Sequence, residues 1–550
     1  MKIICQFLLT ATIIIFINSC QSQISPSQTV DSQTSPSQTI AQPSKCGSSS
    51  NAPQDNPVAA KYGKNAFPWT KNIKWDCVYN IKEFSAPTID ASFNAARDAA
   101  SANGGGVVYF PVGSYNFTDN ISLKDGVVIR GETPAVNDAK SSSYNPPTKL
   151  VFPQYKPSFS GSGTPNNTAF KKILTTDPNK DSNIGVINVD INRAAIEFST
   201  PDNYDKNTNQ NLVIFGVRSN NVAEPEPQVP TSFQNPWQRF SSRFATNIKI
   251  KAFANVLISN NRLNDAISDN FDQPNYIVRE QRGNSTVTYS EGERAKFNYT
   301  DHYGIFLNRA SSPQGILPND PNRFPSFFRK GLVIQDNWVY HTMRVAIHAT
   351  GDGLIIKNNQ IRDEKNKQVW LDPTGTKQPQ NAATFENRAI DWSGWNITVE
   401  GNDYEVSRHQ IMPDGSYYSV DGEGILIQEC CGGTSVNGVK ISNNTGNSYI
   451  GIYKVPQVKN VLIAGNKISN SITDSPGIYV DADTNNTKNR MDNVKIEKNT
   501  VSKGIYARAS LGGNDNVIEG NQNNNGGELS YSCGIKVENN LGFVIKPCGT

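Results

Sequence analysis

Residues 331–363 read GLVIQDNWVYHTMRVAIHATGDGLIIKNNQIRD. Leu332-Val333-Ile334 leads into Asn337, and Leu354-Ile355-Ile356 leads into Asn359, 22 positions later. Between them stands a second short apolar run, Val345-Ala346-Ile347-His348-Ala349. Nothing here has the period of a long helix. Each run is too short to bury its apolar face alone, so it must stack on a copy of itself.

Copies are present. An apolar pair followed by Asn three positions on recurs at Ile258/Asn261, Ile334/Asn337, Ile356/Asn359, Val399/Asn402, Ile441/Asn444, Ile463/Asn466, Ile496/Asn499 and Ile518/Asn521. A second unit alternates with it: Gly304-Ile305, Ala346-Ile347, Ala389-Ile390, Gly424-Ile425, Gly451-Ile452, Gly477-Ile478, Gly504-Ile505 and Gly534-Ile535. Two interleaved repeats in constant order predict a solenoid of short parallel strands, with Ile and Val stacked inward. Asn at the same turn of successive coils can form a ladder of side-chain amides that satisfies turn backbone groups.

The pattern resembles the pectate-lyase-like superfamily, whose fold is a right-handed parallel β-helix with three strands per coil. The resemblance implies that the Asn ladder marks the turn from second to third strand. It also implies that the Gly-Ile strand is the first of the coil and floors the substrate cleft. A further likeness lies near the start. Thr88–Gly104 reads as an amphipathic helix with Ile89, Phe93, Ala96 and Ala100 on one face, Thr88 as N-cap and Gly104 as its stop. A solenoid needs its open end covered, and this helix suits that task. Gly104-Gly105-Gly106-Val107-Val108-Tyr109-Phe110 follows, and later Val127-Val128-Ile129-Arg130-Gly131, an opening typical of the superfamily. This glycine run follows a helix and enters a strand, the wrong order for a phosphate loop.

Three segments are expected. Residues 1–20, MKIICQFLLTATIIIFINSC, have the length of a signal peptide and end in a lipobox-like Ile17-Asn18-Ser19-Cys20. Cys20 is the expected lipidation site, which would place the protein in the cell envelope, and Gln21 points to the outer membrane. Residues 21–56 are rich in Ser, Gln, Thr and Pro and read as a flexible tether. Residues 57–550 form one β-helix domain, with 134–183 as a large insertion. The net charge of +3 gives no case for nucleic acid. Six cysteines remain after Cys20. Cys533 with Cys548 and Cys46 with Cys77 can pin the two ends, and Cys430-Cys431 is either a vicinal bridge or two thiols. No Cys-His spacing marks a zinc site. A monomer is expected.

Chemistry must come from the outer face of the Gly-Ile strand. Alignment on that pair puts Phe306, His348, Asp391, Leu426, Tyr453, Tyr479 and Tyr506 in one outward column. Neighbouring coils lie roughly 4.8 Å apart, so His348 and Asp391 are adjacent. Arg388 and Glu423 are adjacent one column earlier. These four are the candidate catalytic residues, lining an open groove. Arg344, Asp421, Lys454, Tyr453 and His302 are expected at its margins as substrate contacts. Insertions at 264–301, 309–330, 364–386 and 403–420 can wall a cleft, with Trp370, Trp392, Trp395, Tyr404, Tyr417 and Tyr418 as flat surfaces for sugar rings.

Two mechanisms fit a polysaccharide partner. In β-elimination, a cation neutralises a uronate carboxylate, a base takes the α-proton and an acid protonates the leaving oxygen. Arg344, Arg388 and Lys454 suit the first role, His348 or Lys454 the second and Tyr453 the third. In hydrolysis, Asp391 and Glu423 would be the carboxylate pair, with Asp421 in reserve. The resemblance to polygalacturonases is partial: where they carry Asn-Thr-Asp-Gly, this chain has Asp421-Gly422-Glu423-Gly424. The dense acidic calcium cluster of many pectate lyases is not visible, so no cofactor is assigned and calcium stays open. Elimination is favoured over hydrolysis, because bases outnumber acid pairs. A non-catalytic glycan binder on the same scaffold is the other class. In the plain alternative, His348 and Asp391 are solvated ladder residues and Arg388–Glu423 is a cross-coil salt bridge, worth about 0.2–1 kcal/mol if exposed.

Overall fold

The computed structural model describes residues 46, 52–154, 170–198, 209–222, 246–264, 278–282, 285–289, 303–308, 329–340, 345–362, 388–406, 409–411, 417–419, 423–427, 435–453, 455–471, 475–482, 490–546 and 548. The chain divides into two compact units, Met1–Ala41 and Gln42–Thr550, and every described residue belongs to the second. The lipobox and most of the tether therefore lie outside the described residues.

The second unit is a right-handed parallel β-helix. Among the described residues, two strands of each coil join one 27-stranded sheet and the third joins a 12-stranded sheet. Inward side chains stack in register. On the first strand, Ile248, Ile305, Ile347, Ile390, Ile425, Ile450, Ile478 and Ile505 pair each with the next. All are fully buried. Each such burial contributes about 1.5–3 kcal/mol relative to exposure, and the repeat delivers it once per strand.

The Asn ladder is complete. The side-chain amide of Asn402 donates to Asn444 Oδ1 at 2.9 Å and to the carbonyl of Ile356 at 3.1 Å. Its oxygen accepts from the backbone and side-chain N–H of Asn359, at 3.0 and 2.9 Å. The same pattern joins Asn261, Asn337 and Asn359 upstream, and Asn444, Asn466, Asn499 and Asn521 downstream. Asn540 adds a last rung at 2.9 Å that the repeat did not announce. The residue before each rung has positive φ, as in Asn260, Asp336, Asn358, Gly401, Asn443 and Gly465. Asn, Asp and Gly tolerate that left-handed conformation best, so the Asn-Asn and Gly-Asn dipeptides mark where the chain bends into the third sheet.

The Gly-Ile register holds for six of its eight copies and slips at one coil. Ile425 pairs with Ile450, so Leu426 faces Gly451 rather than Tyr453. Gly451 in turn faces Tyr479. A Cβ at Gly451 would lie 2.6 Å from Leu426 Cδ2, so this glycine serves the outer face, not the inner corner. At Gly424 the requirement is the inner one, since a Cβ there would sit 2.5 Å from the carbonyl oxygen of Tyr449. Gly534-Ile535 does not join the column either, because Leu529 pairs with Ile505.

The helix α2 spans Ile89–Ala102, capped by Thr88 Oγ1 accepting from the N–H of Ala91 at 3.2 Å. Phe93 packs on Phe110 and Phe117, with centroids 6.2 and 6.1 Å apart. A shorter helix, α1 (Pro57–Tyr62), has Asn56 as its cap and was not expected. The segment from Ala52 to Trp75 buries Ala52, Val58, Ile73 and Trp75 against the outer face of the second strands, on Val128, Val213, Phe215 and Leu257. Within it, Asp55 receives the fully buried guanidinium of Arg130 at 2.7 Å.

The insertion expected at 134–183 is overturned where strands run within it, and residues 155–169 lie outside the described residues. Thr148–Val151 and Lys171–Thr175 are strands of the two sheets, and Tyr144 is buried with its hydroxyl donating to Gly216 O at 2.6 Å. Two further segments hold antiparallel hairpins, Val278–Arg282 with Ser285–Tyr289 and His409–Ile411 with Tyr417–Ser419. Disulfides join Cys46 to Cys77 and Cys533 to Cys548. Cys430 and Cys431 lie outside the described residues. No helix among the described residues is long and apolar enough to cross a membrane.

Candidate active site

Three adjacent first strands, Val345–Asp352, Arg388–Glu400 and Glu423–Ile427, bring the four leading candidates together. His348 pairs in register with Asp391, and Arg388 with Glu423. His348 Nδ1 lies 3.3 Å from Asp391 Oδ2. Arg388 Nη1 donates to Asp391 Oδ1 at 3.1 Å, and its Nε to Glu423 Oε2. Tyr449 donates to Glu423 Oε1 at 3.0 Å and Tyr453 to the same oxygen at 3.5 Å. Phe306 stacks on the His348 ring at 4.7 Å, and Tyr303 meets it edge-on at 5.5 Å.

The groove expected to be open at these side chains is not. Asp391 is 1% exposed, and His348, Arg388 and Glu423 are 5–6% exposed. Burial changes the energetics, because an exposed cross-coil pair is worth little while a buried one is costly to break. Burial alone would push both carboxyls up. At Asp391 the Arg388 charge and the His348 contact outweigh it, and the carboxyl is held below its usual range. At Glu423 burial wins over the same guanidinium, helped by the negative charge of Asp391, and the carboxyl is raised. The two environments therefore push the pair apart, Asp391 below and Glu423 above the usual carboxylate range.

With Asp391 ionised, His348 Nδ1 is the nitrogen placed to carry a proton toward it. That leaves Nε2 with the lone pair in the neutral ring. Both oxygens of Asp391 are engaged, so it positions the imidazole and is not itself placed to attack. Arg388 is held between two carboxylates, so the expected role as an uncommitted cation for substrate is not what its contacts provide. Burial and the adjoining Glu423 charge raise the Tyr449 hydroxyl well above its usual range, which keeps it a donor.

Tyr453 leaves the outward column by the slip at Gly451 but still reaches Glu423. Its ring meets Tyr479 at 5.8 Å, and Tyr479 meets Tyr506 at 6.3 Å. The three rings are half-buried and form a ladder along the solenoid axis. Trp392 and Tyr404 do not wall a cleft: both are buried in the interior core. Tyr404 donates to Ser448 O at 2.6 Å, whereas Trp392 Nε1 has no partner. Trp395 is part-exposed and donates to Ser435 O at 3.3 Å. His302, Arg344, Asp421, Lys454 and Trp370 lie outside the described residues. Sequence reasoning missed Tyr449; the second isoleucine of Ile450-Gly451-Ile452, which competes for the inner corner, was its signal. Among the described residues no group of three or more His, Cys, Asp and Glu is arranged to hold a metal ion.

No protein-family model matches this chain, and no curated protein does. Among solved structures it is similar to the A-module of the mannuronan C-5 epimerase AlgE4 from Azotobacter vinelandii, with 15% identity and a TM-score of 0.37, covering 86% of this chain and 98% of that one. It is similar to PfbA, a surface adhesin of Streptococcus pneumoniae, with 14% identity and a TM-score of 0.40, covering 85% and 93%. It is also similar to the tailspike protein of E. coli bacteriophage HK620, in complex with a pentasaccharide, with 12% identity and a TM-score of 0.38, covering 85% and 66%. At these values the likeness assigns neither activity nor ligand to this chain.

Proposed function

We propose that this protein cleaves a uronate-containing polysaccharide by β-elimination at the His348–Asp391–Arg388–Glu423 cluster. The observation that carries the reading is the Asp391–His348 contact of 3.3 Å, which orients the imidazole as a base. In this reading His348 Nε2 takes the proton α to the uronate carboxylate. The electron pair of the broken C–H bond forms the new carbon–carbon double bond, and the bond to the leaving glycosidic oxygen breaks with its pair going to that oxygen. Tyr453, backed by Glu423, supplies a proton to that oxygen. Arg388 fixes both carboxyls, and the tyrosine ladder from Tyr453 to Tyr506 offers flat faces to the sugar rings. Arg344 and Lys454 remain proposed as the cations that meet the uronate. Hydrolysis is less well supported, because each Asp391 oxygen already holds a partner and the carboxyl is buried away from water.

The substrate is met outside the membrane, with the chain held in the envelope through Cys20. The test is a panel of acidic and neutral polysaccharides read for unsaturated-product absorbance and for reducing ends. Elimination requires both signals together on an acidic polymer, and loss of both in His348→Ala. Reducing ends without absorbance would replace this mechanism with hydrolysis. Saturable binding with neither signal would replace it with a glycan-binding role.

A further inference from the structure

The outer face of the third sheet carries an open groove of about 520 Å³ that the cluster above does not use. It crosses the strands Gln360–Arg362, Asp403–Glu405, Thr445–Gly446, Lys467–Ile468 and Thr500–Val501. Asp403, Thr445, Lys467 and Thr500 pair in that order, so their side chains form one column along the axis. Alternate residues on a strand share a face, so Glu405, Ser469 and Ser502 flank that column two positions on.

Some polar atoms here are engaged. Arg362 holds Asp403 as an ion pair, and Asn525 Nδ2 donates to Ser502 O at 3.2 Å. Others are not. The side chains of Thr445, Lys467, Thr500 and Asn524 make no hydrogen bond or ion pair among the described residues. Lys467 thus stands in register between Thr445 and Thr500, each roughly one 4.8 Å rung away along the sheet. A lone exposed lysine is ordinarily just solvated. This one lies within a concave groove that repeats hydroxyl and amide groups at the spacing of the coils.

We propose that this groove is a second glycan-binding site, taking an acidic oligosaccharide along the solenoid axis with a carboxylate over Lys467. A sugar chain offers a hydroxyl edge at every unit, which suits the unengaged side chains of Thr445, Thr500 and Asn524; the Ser469 and Ser502 hydroxyls already donate to Gly446 O and Ser469 O. Its acidic groups need an ammonium that no protein carboxylate has claimed. The site stands on its own geometry and holds whether or not the first sheet cleaves glycan.

The experiment is calorimetric titration of the full chain with oligogalacturonate, alongside a neutral cello-oligosaccharide. Two sites are expected for the acidic probe, both weakened by added salt. Thr500→Trp, which fills the groove, should remove one of them. Lys467→Ala should weaken the same site about tenfold, the effect of a charge-assisted contact of about 1.4 kcal/mol. Thermal melts of both variants should match the parent, since both side chains are solvent-accessible. Binding by both variants that matches the parent, or no saturable binding of the acidic probe, overturns the proposal. Tyr479→Ala separates the sites: loss of all binding in that variant, with Thr500→Trp unchanged, would leave only the first-sheet site. The reverse pattern would leave only this groove.

Discussion

Replacing Asn402 by alanine takes five hydrogen bonds out of the middle of the ladder. Two are accepted from Asn359, through its backbone and side-chain N–H, and three are donated, to Asn444 Oδ1, to the carbonyl of Ile356 and, at 3.3 Å, to the carbonyl of Glu400. The backbone N–H of Asn359 loses its acceptor outright. Its side chain keeps a bond to Ile334 O, and Asn444 Oδ1 keeps the N–H of Asn402. Asn402 is 1% exposed, so water has no route to the freed groups without opening the turn. An orphaned buried group costs about 1–3 kcal/mol and a lost neutral bond about 0.5–1.5, which puts the variant at about 3–5 kcal/mol. Asn540→Ala is the control. That rung accepts the same two bonds from Asn521 and donates to the carbonyls of Ile518 and Glu538, but it has no onward Asn and is part-exposed at the last coil, so water can replace its bonds and the loss should be about 1 kcal/mol.

Solenoid stability is a sum of neighbour terms, so the damage should be local. Urea titration would report the global loss, and hydrogen exchange read by mass spectrometry would locate it. Amides in 354–362 and 395–405 should exchange about two to four orders of magnitude faster. Amides around Val107 and Ile518 should keep their parent rates. Equal destabilisation by Asn402→Ala and Asn540→Ala would refute the ladder as a buried, coupled network. So would a loss below about 1 kcal/mol at Asn402.

Other outcomes follow from the buried cluster and the anchor. His348→Ala should lower turnover by about 10²–10⁴-fold, the usual contribution of a positioned base, with KM little changed. Asp391→Asn should cost less and shift the pH–rate profile; an unchanged profile would deny Asp391 its positioning role. The same carboxyl gives a stability test. Its folded pKa is lowered, because the Arg388 and His348 contacts outweigh burial, so its contribution is present above the ordinary carboxylate range and lost as pH falls through the lowered value. Melting temperature against pH should fall less steeply on the acid side in Asp391→Asn, compared with each protein's own neutral value. Tyr479→Ala should raise KM and leave kcat near the parent, as removal of a sugar platform requires. Cys20→Ala should release the protein from detergent-extractable membrane into the soluble exported fraction; retention would exclude lipid at Cys20 as the anchor.

The architecture was legible because its two repeats are local rules. A ladder Asn needs an apolar pair before it and a bend under it, and all three stand within a few residues. The site was legible only as far as register was. His348, Asp391, Arg388 and Glu423 fall on strands where the Gly/Ala-Ile pair really is the inner corner. At Tyr449-Ile450-Gly451-Ile452 two isoleucines compete for that corner. The glycine pointed to the wrong one, because small size was needed outside against Leu426 rather than inside. Burial of the cluster was not legible at all. An alternating strand shows which face a residue is on, not what lies over that face.

The outer face of the second strand makes the same point in reverse. Val128, Val213, Leu257 and Val333 are outward there, yet all but Val333 are fully buried. Further along the same register the outward residues are Ile355, Thr398, Lys440, Leu462 and Lys495, none of them buried. Apolar residues on both faces of a strand imply a cover on each. The loss of burial from Val333 onward, with Thr and Lys entering the column, therefore shows where the cover ends. Residues 52–75 are that cover, packing Val58, Ile73 and Trp75 onto the apolar part of the column. The cover is also tied by polar contacts: Asp55 to buried Arg130, and the Tyr62 hydroxyl to Asp336 at 2.9 Å. An N-terminal stretch that composition suggested was merely the tail of a tether is, from Ala52 on, part of the folded body. Its partner surface was written in the outward column more than 250 residues long, from Val78 to Val333.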